Sequence, residues 1–143
     1  MSRVKILMPG TFHFSTTIPV RITDINYGGH VGNDSILSII HEARMQFLRQ
    51  YNYTELDFAG VGMIMSDVAI EFKNELFYGD TIKASIAIAE ISKVSFALYY
   101  KFENVAENKS TLIALARTGM VCYHYGNKKI AAVPDEIKVQ FTN

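Results

Sequence analysis

The residues from Asp24 to Arg44 read DINYGGHVGNDSILSIIHEAR and hold most of the side chains that could do chemistry. Two carboxylates, Asp24 and Asp34, an amide, Asn26, and an imidazole, His30, stand around the pair Gly28 and Gly29. Imidazole is the side chain suited to passing protons near neutrality, which makes His30 a candidate base. Glycine lets the main chain approach a ligand closely. A helix opens near Asn33, Asp34 or Ser35, so unpaired N–H groups and the positive end of its dipole point back at Gly28, Gly29 and His30. Such a corner suits an anion or a developing oxyanion, with Asp24 or Asp34 as a candidate base beside His30. Simpler roles compete. Asp24 can hold turn amides, Asp34 can cap the helix, and His30 can satisfy backbone groups.

Two elements must position these groups. Ile18, Val20 and Ile22 alternate with Pro19, Arg21 and Thr23, the period of a half-buried strand running from about Phe12 to Thr23. After the turn, Ile36, Ile40, Ala43 and Phe47 recur at helical spacing, widened by Leu37, Ile39 and Leu48, which predicts a largely enclosed helix to about Tyr51. Further strands are expected over 62–76, 81–91, 94–102 and 111–125, the clearest carrying Ile82, Ala84, Ile86 and Ile88 on one parity. Tyr78-Gly79-Asp80, residues 103–110 and Gly126-Asn127 read as turns, and Pro134 to Ile137 as a short helical turn.

At 143 residues, 49% of them hydrophobic, the chain predicts one domain over 1–143 with a substantial core. Fourteen lysines and arginines balance fourteen aspartates and glutamates, so no global field draws it to nucleic acid. No apolar run approaches the ~20 residues of a membrane span. Cys122 is the sole cysteine and no apolar leader is evident over 1–8, consistent with a reducing, cytoplasmic setting. His13, His41 and His124 are not spaced as a metal set, and neither a metal nor a separate cofactor is expected. The pattern is α+β: about five antiparallel strands in a curved sheet wrapped around one long central helix. Apolar residues on both parities of 94–100 point to more covered surface than one chain supplies, hence a homodimer, with a tetramer open.

The segment resembles the hotdog-fold acyl-CoA thioesterases, in the branch around 4-hydroxybenzoyl-CoA thioesterase and the acyl-carrier-protein thioesterases. That branch has an arginine, then D-x-D-x-x-G-H-V-N-N, then a helix ending in E-A-R. Arg21, Asp24, Gly29, His30, Val31, Asn33, Glu42, Ala43 and Arg44 match it, and Tyr78-Gly79-Asp80 before a long strand is similar to the same family. Two positions depart. Asn26 stands where the motif has its second aspartate, commonly the nucleophile or base, and Gly32 where it has its first asparagine.

The resemblance implies hydrolysis of an acyl-CoA or acyl-carrier-protein thioester, coenzyme A entering only as part of the substrate. An amide cannot serve as a base, so Asn26 is expected to orient water or donate to a carbonyl oxygen. Proton transfer then falls to His30, Asp24 or Glu42, the last because another hotdog branch carries its carboxylate on this helix; a Glu42 salt bridge is the plainer alternative. Gly28, Gly29, Val31, Asn33 and Asp34 are the expected oxyanion and substrate-binding positions. Asp67 is a candidate across an interface, and Met63 and Met65 beside Phe58 and Phe72 could line an acyl tunnel. Lys73, Lys83, Lys93 and Arg117 could meet the CoA phosphates. The alternative function is a non-hydrolytic acyl-thioester or lipid-binding hotdog protein, and a weaker third is an enoyl-thioester hydratase.

Overall fold

The computed structural model describes residues 3–106 and 108–142. Strand β1 (Phe14–Pro19) leads through a 3-10 turn at Ile22–Asp24 to helix α1 (Asn33–Gln50). Four long strands follow: β2 (Gly62–Phe72), β3 (Thr81–Ala89), β4 (Ser95–Ala106) and β5 (Lys109–His124). A short β6 (Lys129–Ile130) and helix α2 (Asp135–Phe141) complete it. The sheet is antiparallel in the order β1-β3-β4-β5-β2, with β6 paired to β5.

Alternation decides which face meets α1. Ile82, Ala84, Ile86 and Ile88 lie in the core, as their parity predicts, beside Phe96, Leu98, Tyr100 and Phe102 of β4. Ala84, Phe102 and Ala114 stand in register across three strands, and the small residues leave room for the helix. From α1, Ile36, Ile39, Ile40, Ala43, Phe47 and Leu48 pack onto that surface. Leu37 and Met45 do not: one flank of α1 is open to solvent, where the sequence predicts an enclosed helix.

Other boundaries differ too. Strand β1 stops at Pro19, because the Ile22–Asp24 turn redirects the chain toward α1. Residues 103–110, expected as a polar turn, mostly extend β4 and β5, with Glu103 opposite Leu112 and Val105 opposite Ser110. Part of the outer face of the sheet is covered by the chain itself. Ile6 packs with Ala87, Ala97 and Tyr99, joined by Met8 and Phe12, and the Ile6 N–H donates to Glu71 Oε1 at 3.1 Å. The apolar residues on both parities of β4 therefore reflect an N-terminal cover and do not require a second chain.

Candidate active site

The segment between β1 and α1 is held at both ends. Val20 N–H donates to the Asp80 carbonyl at 2.9 Å, where Gly79, in the left-handed region at φ 95°, turns the chain before β3. Asp24 is buried, and its carboxylate accepts Arg21 N–H at 2.9 Å and Arg21 Nη2 at 3.2 Å. Its carbonyl accepts Gly32 N–H at 3.1 Å. Asp24 thus clamps the segment, and with its oxygens engaged by Arg21 it is poorly disposed to act as a base.

The turn closes on itself. Asn26 N–H donates to the His30 carbonyl at 2.9 Å and Gly29 N–H to the Asn26 carbonyl at 3.1 Å, with Gly29 at φ 82°. Gly28 N–H donates to Asn26 Oδ1 at 2.9 Å, and Val31 N–H to the Leu76 carbonyl at 2.8 Å. The amides of Gly28, Gly29 and Val31, expected as oxyanion donors, are therefore already spent inside the fold. Among the expected oxyanion positions, the donors that remain are Asn33 N–H and Asp34 N–H in the first turn of α1, which have no partner among the described residues. The N-cap is Gly32, and no side chain caps the helix, so Asp34 does not fill that role. Its carboxylate instead lies over Gly32, where a Cβ would come within 2.7 Å of Asp34 Oδ1.

Asn26 and His30 flank one bare stretch of backbone. A Cβ at Gly28 would lie 3.1 Å from His30 Nε2 and 3.4 Å from Asn26 Oδ1. Since Asn26 Oδ1 accepts Gly28 N–H, its Nδ2 is left as a donor. His30 Nδ1 is 3.2 Å from the Val31 carbonyl, and a carbonyl only accepts, so Nδ1 carries the proton and Nε2 of the neutral ring presents a lone pair. Beyond Nε2, at 3.7 Å, stands Glu75 Oε1.

His30 opens onto a cavity of about 180 Å³ between the start of α1 and the loop after β2. Its inner wall is Val31, Ile36, Leu76 and Ile113, all buried; its rim is His30, Asn33, Phe72, Lys73, Asn74 and Glu75. The loop is stapled down. Lys73 N–H and Asn74 N–H donate to the Ile113 carbonyl at 2.8 and 3.2 Å, and Asn74 Nδ2 to the Leu112 carbonyl at 2.7 Å. Asn74 and Glu75 escaped the sequence reading, and Lys73 entered it only as a phosphate contact. The available signal was the run of three polar residues, Lys73-Asn74-Glu75, between Phe72 and Leu76, followed by the Gly79 turn that folds the loop back.

The remaining candidates lie elsewhere. Glu42 is exposed, accepts Gln46 Nε2 at 2.6 Å, and lines a separate cavity of about 390 Å³ with Arg21, Asp24 and Ile39. That cavity shares no residue with the one at His30. Arg44 does not pair with Glu42: it is buried and donates to Glu55 Oε2 at 2.9 Å and to Tyr100 OH at 3.2 Å. Asp67 pairs with Arg117 at 3.3 Å on the sheet surface. Met63 and Phe58 are core residues, leaving only Phe72 of the expected tunnel at the cavity. Cys122 is buried, and burial pushes its thiol up to about 11, against a nucleophilic role.

The profile of the Thioesterase-like superfamily matches residues 20–141. The chain belongs to that superfamily. It is 30% identical over 122 residues to a 1,4-dihydroxy-2-naphthoyl-CoA hydrolase of Microcystis aeruginosa, covering 83% of this chain and 86% of the relative. To acyl-CoA thioesterase YbgC of Haemophilus influenzae it is 23% identical over 131 residues, covering 90% and 93%. The fold matches a crystal structure of a 1,4-dihydroxy-2-naphthoyl-CoA thioesterase from Synechocystis with a TM-score of 0.78 at 20% identity, over 91% of this chain and 96% of that one. The hotdog architecture and the thioesterase assignment read from the sequence both hold, with a sixth short strand added.

Proposed function

We propose that the protein hydrolyses an acyl-CoA thioester to free acid and thiol, with His30 as general base and Asn26 as the donor to the thioester carbonyl. The observation that carries this reading is the pairing around Gly28. His30 Nε2 offers a lone pair over Gly28, where Asn26 Oδ1 is held by Gly28 N–H, and Asn26 Nδ2 offers a donor on the Gly32 side of the amide, beside the first turn of α1. His30 Nε2 and Glu75 Oε1, two acceptors 3.7 Å apart, can share one water that donates a hydrogen to each.

That water attacks the carbonyl carbon while one of its protons passes to His30 Nε2. Negative charge moves to the carbonyl oxygen, facing Asn26 Nδ2 and the free N–H groups of Asn33 and Asp34 at the positive end of α1. Collapse of the tetrahedral intermediate breaks the C–S bond, and the sulfur takes the proton held by His30. Neither Asp24 nor Glu42 is required.

The assembly proposed is a homodimer through β2, in a reducing cytoplasm. Strand β2 is a sheet edge whose Ile64, Met65, Val68 and Phe72 are exposed, beside Leu37 on the open flank of α1. The single chain exposes 8584 Å², against roughly 7400 Å² for a compact monomer of 16.1 kDa. An apolar, unprotected edge of this length is suited to pairing with a second copy. Among the described residues, no helix is long and apolar enough to cross a membrane.

Asn26 also favours one competing reading, an acyl-thioester binder that does not hydrolyse. Thiol release from aromatic, short-chain and long-chain acyl-CoAs and an acyl-carrier protein separates the two. Turnover by the native chain, lost in His30→Ala, supports hydrolysis; turnover seen only in Asn26→Asp supports the binder.

A further inference from the structure

We infer that His13 is an acid-sensitive clasp for the N-terminal segment: with its ring neutral it fastens residues 3–12 across the outer face of the sheet, and a proton taken from solvent releases them. His13 is half-buried and stands where the chain enters β1. Its N–H donates to the Ile86 carbonyl at 2.9 Å, but the β1 ladder reaches only Phe14 opposite Ile86. The Ile88 N–H, two residues along β3, therefore has no β1 carbonyl to meet. His13 Nδ1 takes it instead, at 3.2 Å. A ring nitrogen that accepts an N–H carries no hydrogen, so the closed state requires the neutral ring with its proton on Nε2.

The elements around His13 hold it in place without charging it. Its carbonyl accepts Tyr51 OH at 2.8 Å from the end of α1, and its ring lies at 86° to Phe141 of α2, centroids 5.3 Å apart. Glu90 at the end of β3 is engaged by Tyr99 and Arg117, and Glu136 of α2 by Tyr53, so among the described residues no ion pair reaches the ring. Burial holds its pKa below the ordinary 6.5. The segment it fastens is lightly held. Residues 3–12 make no backbone-to-backbone hydrogen bond among the described residues. Ile6, Met8 and Phe12 pack on Ala87, Ala97 and Tyr99, Ile6 N–H donates to Glu71, and Lys101 stands 5.9 Å from the Phe12 ring. Glu71, kept below its ordinary 4.5 by Lys73 and then by the Ile6 N–H, stays ionised where His13 changes. Protonation sets Nδ1–H against Ile88 N–H, donor against donor, and the ring must swing away beside Phe12, the next residue. An exposed imidazole titrates at about 6.5. The open state therefore takes the proton first, and falling pH favours it.

The experiment is an NMR titration of the full chain from about pH 7.5 to about pH 5, the range in which imidazole changes charge. It follows the His13 ring nitrogens, the Ile88 amide and the methyl groups of Ile6 and Met8. The neutral ring is expected to carry its proton on Nε2. As it titrates, the Ile88 amide should exchange with solvent roughly 10-fold faster, after correction for intrinsic exchange, and the Ile6 and Met8 signals should move with the same midpoint. His13→Gln, whose amide oxygen accepts the Ile88 N–H at any pH, should keep the segment docked throughout. A segment that stays docked while His13 titrates overturns the inference, whether or not the variant folds. The same acid transition in His13→Gln overturns it too, as does a neutral ring protonated on Nδ1.

Discussion

Arg44 Nε donates to Glu55 Oε2 at 2.9 Å from inside the core, while His41 Nε2 meets the other carboxylate oxygen at 2.9 Å from the surface. The far side of the guanidinium reaches Tyr100 OH, itself 2.8 Å from Thr118 Oγ1. One carboxylate on the connection after α1 thus satisfies a buried cation, whose other side ties the helix to β4 and β5 through Tyr100 and Thr118. Removing it strands the charge. Glu55→Ala is expected to lower stability by about 3 kcal/mol, read from the urea midpoint at unchanged slope.

The same carboxylate gives stability an acid dependence. Burial pushes Glu55 up, but hydrogen bonds from His41 and Arg44 and their charges outweigh it, leaving the group below its ordinary 4.5. A carboxyl depressed in the folded state contributes stability above its unfolded value and loses it as pH falls through the folded one. The native chain should therefore lose stability more steeply than Glu55→Gln as pH falls below 4.5. Matching slopes in the two would count against the assignment.

His30→Ala is expected to lower kcat by about 100-fold with little change in KM, since the proposed mechanism has the imidazole act on water rather than on the acyl group. Asn26→Ala is expected to cost a similar factor, about 100-fold, by removing a donor to the developing oxyanion. Steady-state kinetics with the acyl-CoA of the panel that is turned over fastest measures both. A full-rate His30→Ala enzyme would assign the base elsewhere.

Gly28→Ala tests the bare backbone between them. Its Cβ would sit 3.1 Å from His30 Nε2, so activity should fall while the unfolding temperature stays near the native value. Loss of both together would mean that the turn itself had failed.

Met65→Lys and Val68→Lys place charges on the β2 edge, a natural device against edge pairing. Sedimentation velocity should show the native chain as a dimer and the double variant as a monomer. A native monomer would remove the β2 assembly.

The strands and α1 were readable because apolar spacing is imposed by burial on one face, as in Ile82 to Ile88 and Ile36 to Phe47. Spacing cannot say what covers the other face. Ile6, Met8 and Phe12 carry no periodic signal, yet they cover Ala97 and Tyr99. At the candidate site, Asn26 and His30 stood out in the sequence because they neighbour Gly28 and Gly29. Which amides remained free was not, since Val31 N–H is spent on Leu76, far along the chain. Glu75 was hidden for the same reason: its place beside His30 arises from a loop bonded to Leu112 and Ile113, a pairing that exists only once the sheet has formed.

The stapling of the Phe72–Leu76 loop to β5 bears on how such a protein diversifies. Asn26 and His30 of the proposed mechanism lie within residues 24–34, whereas Ile113 and Phe72, which line the cavity beside His30, come from two other strands. Mutation can retune one without touching the other. A library randomised at Phe72 and Ile113 alone should yield enzymes of altered acyl range that retain the parent's catalytic machinery, so a new substrate can be acquired without first losing the reaction.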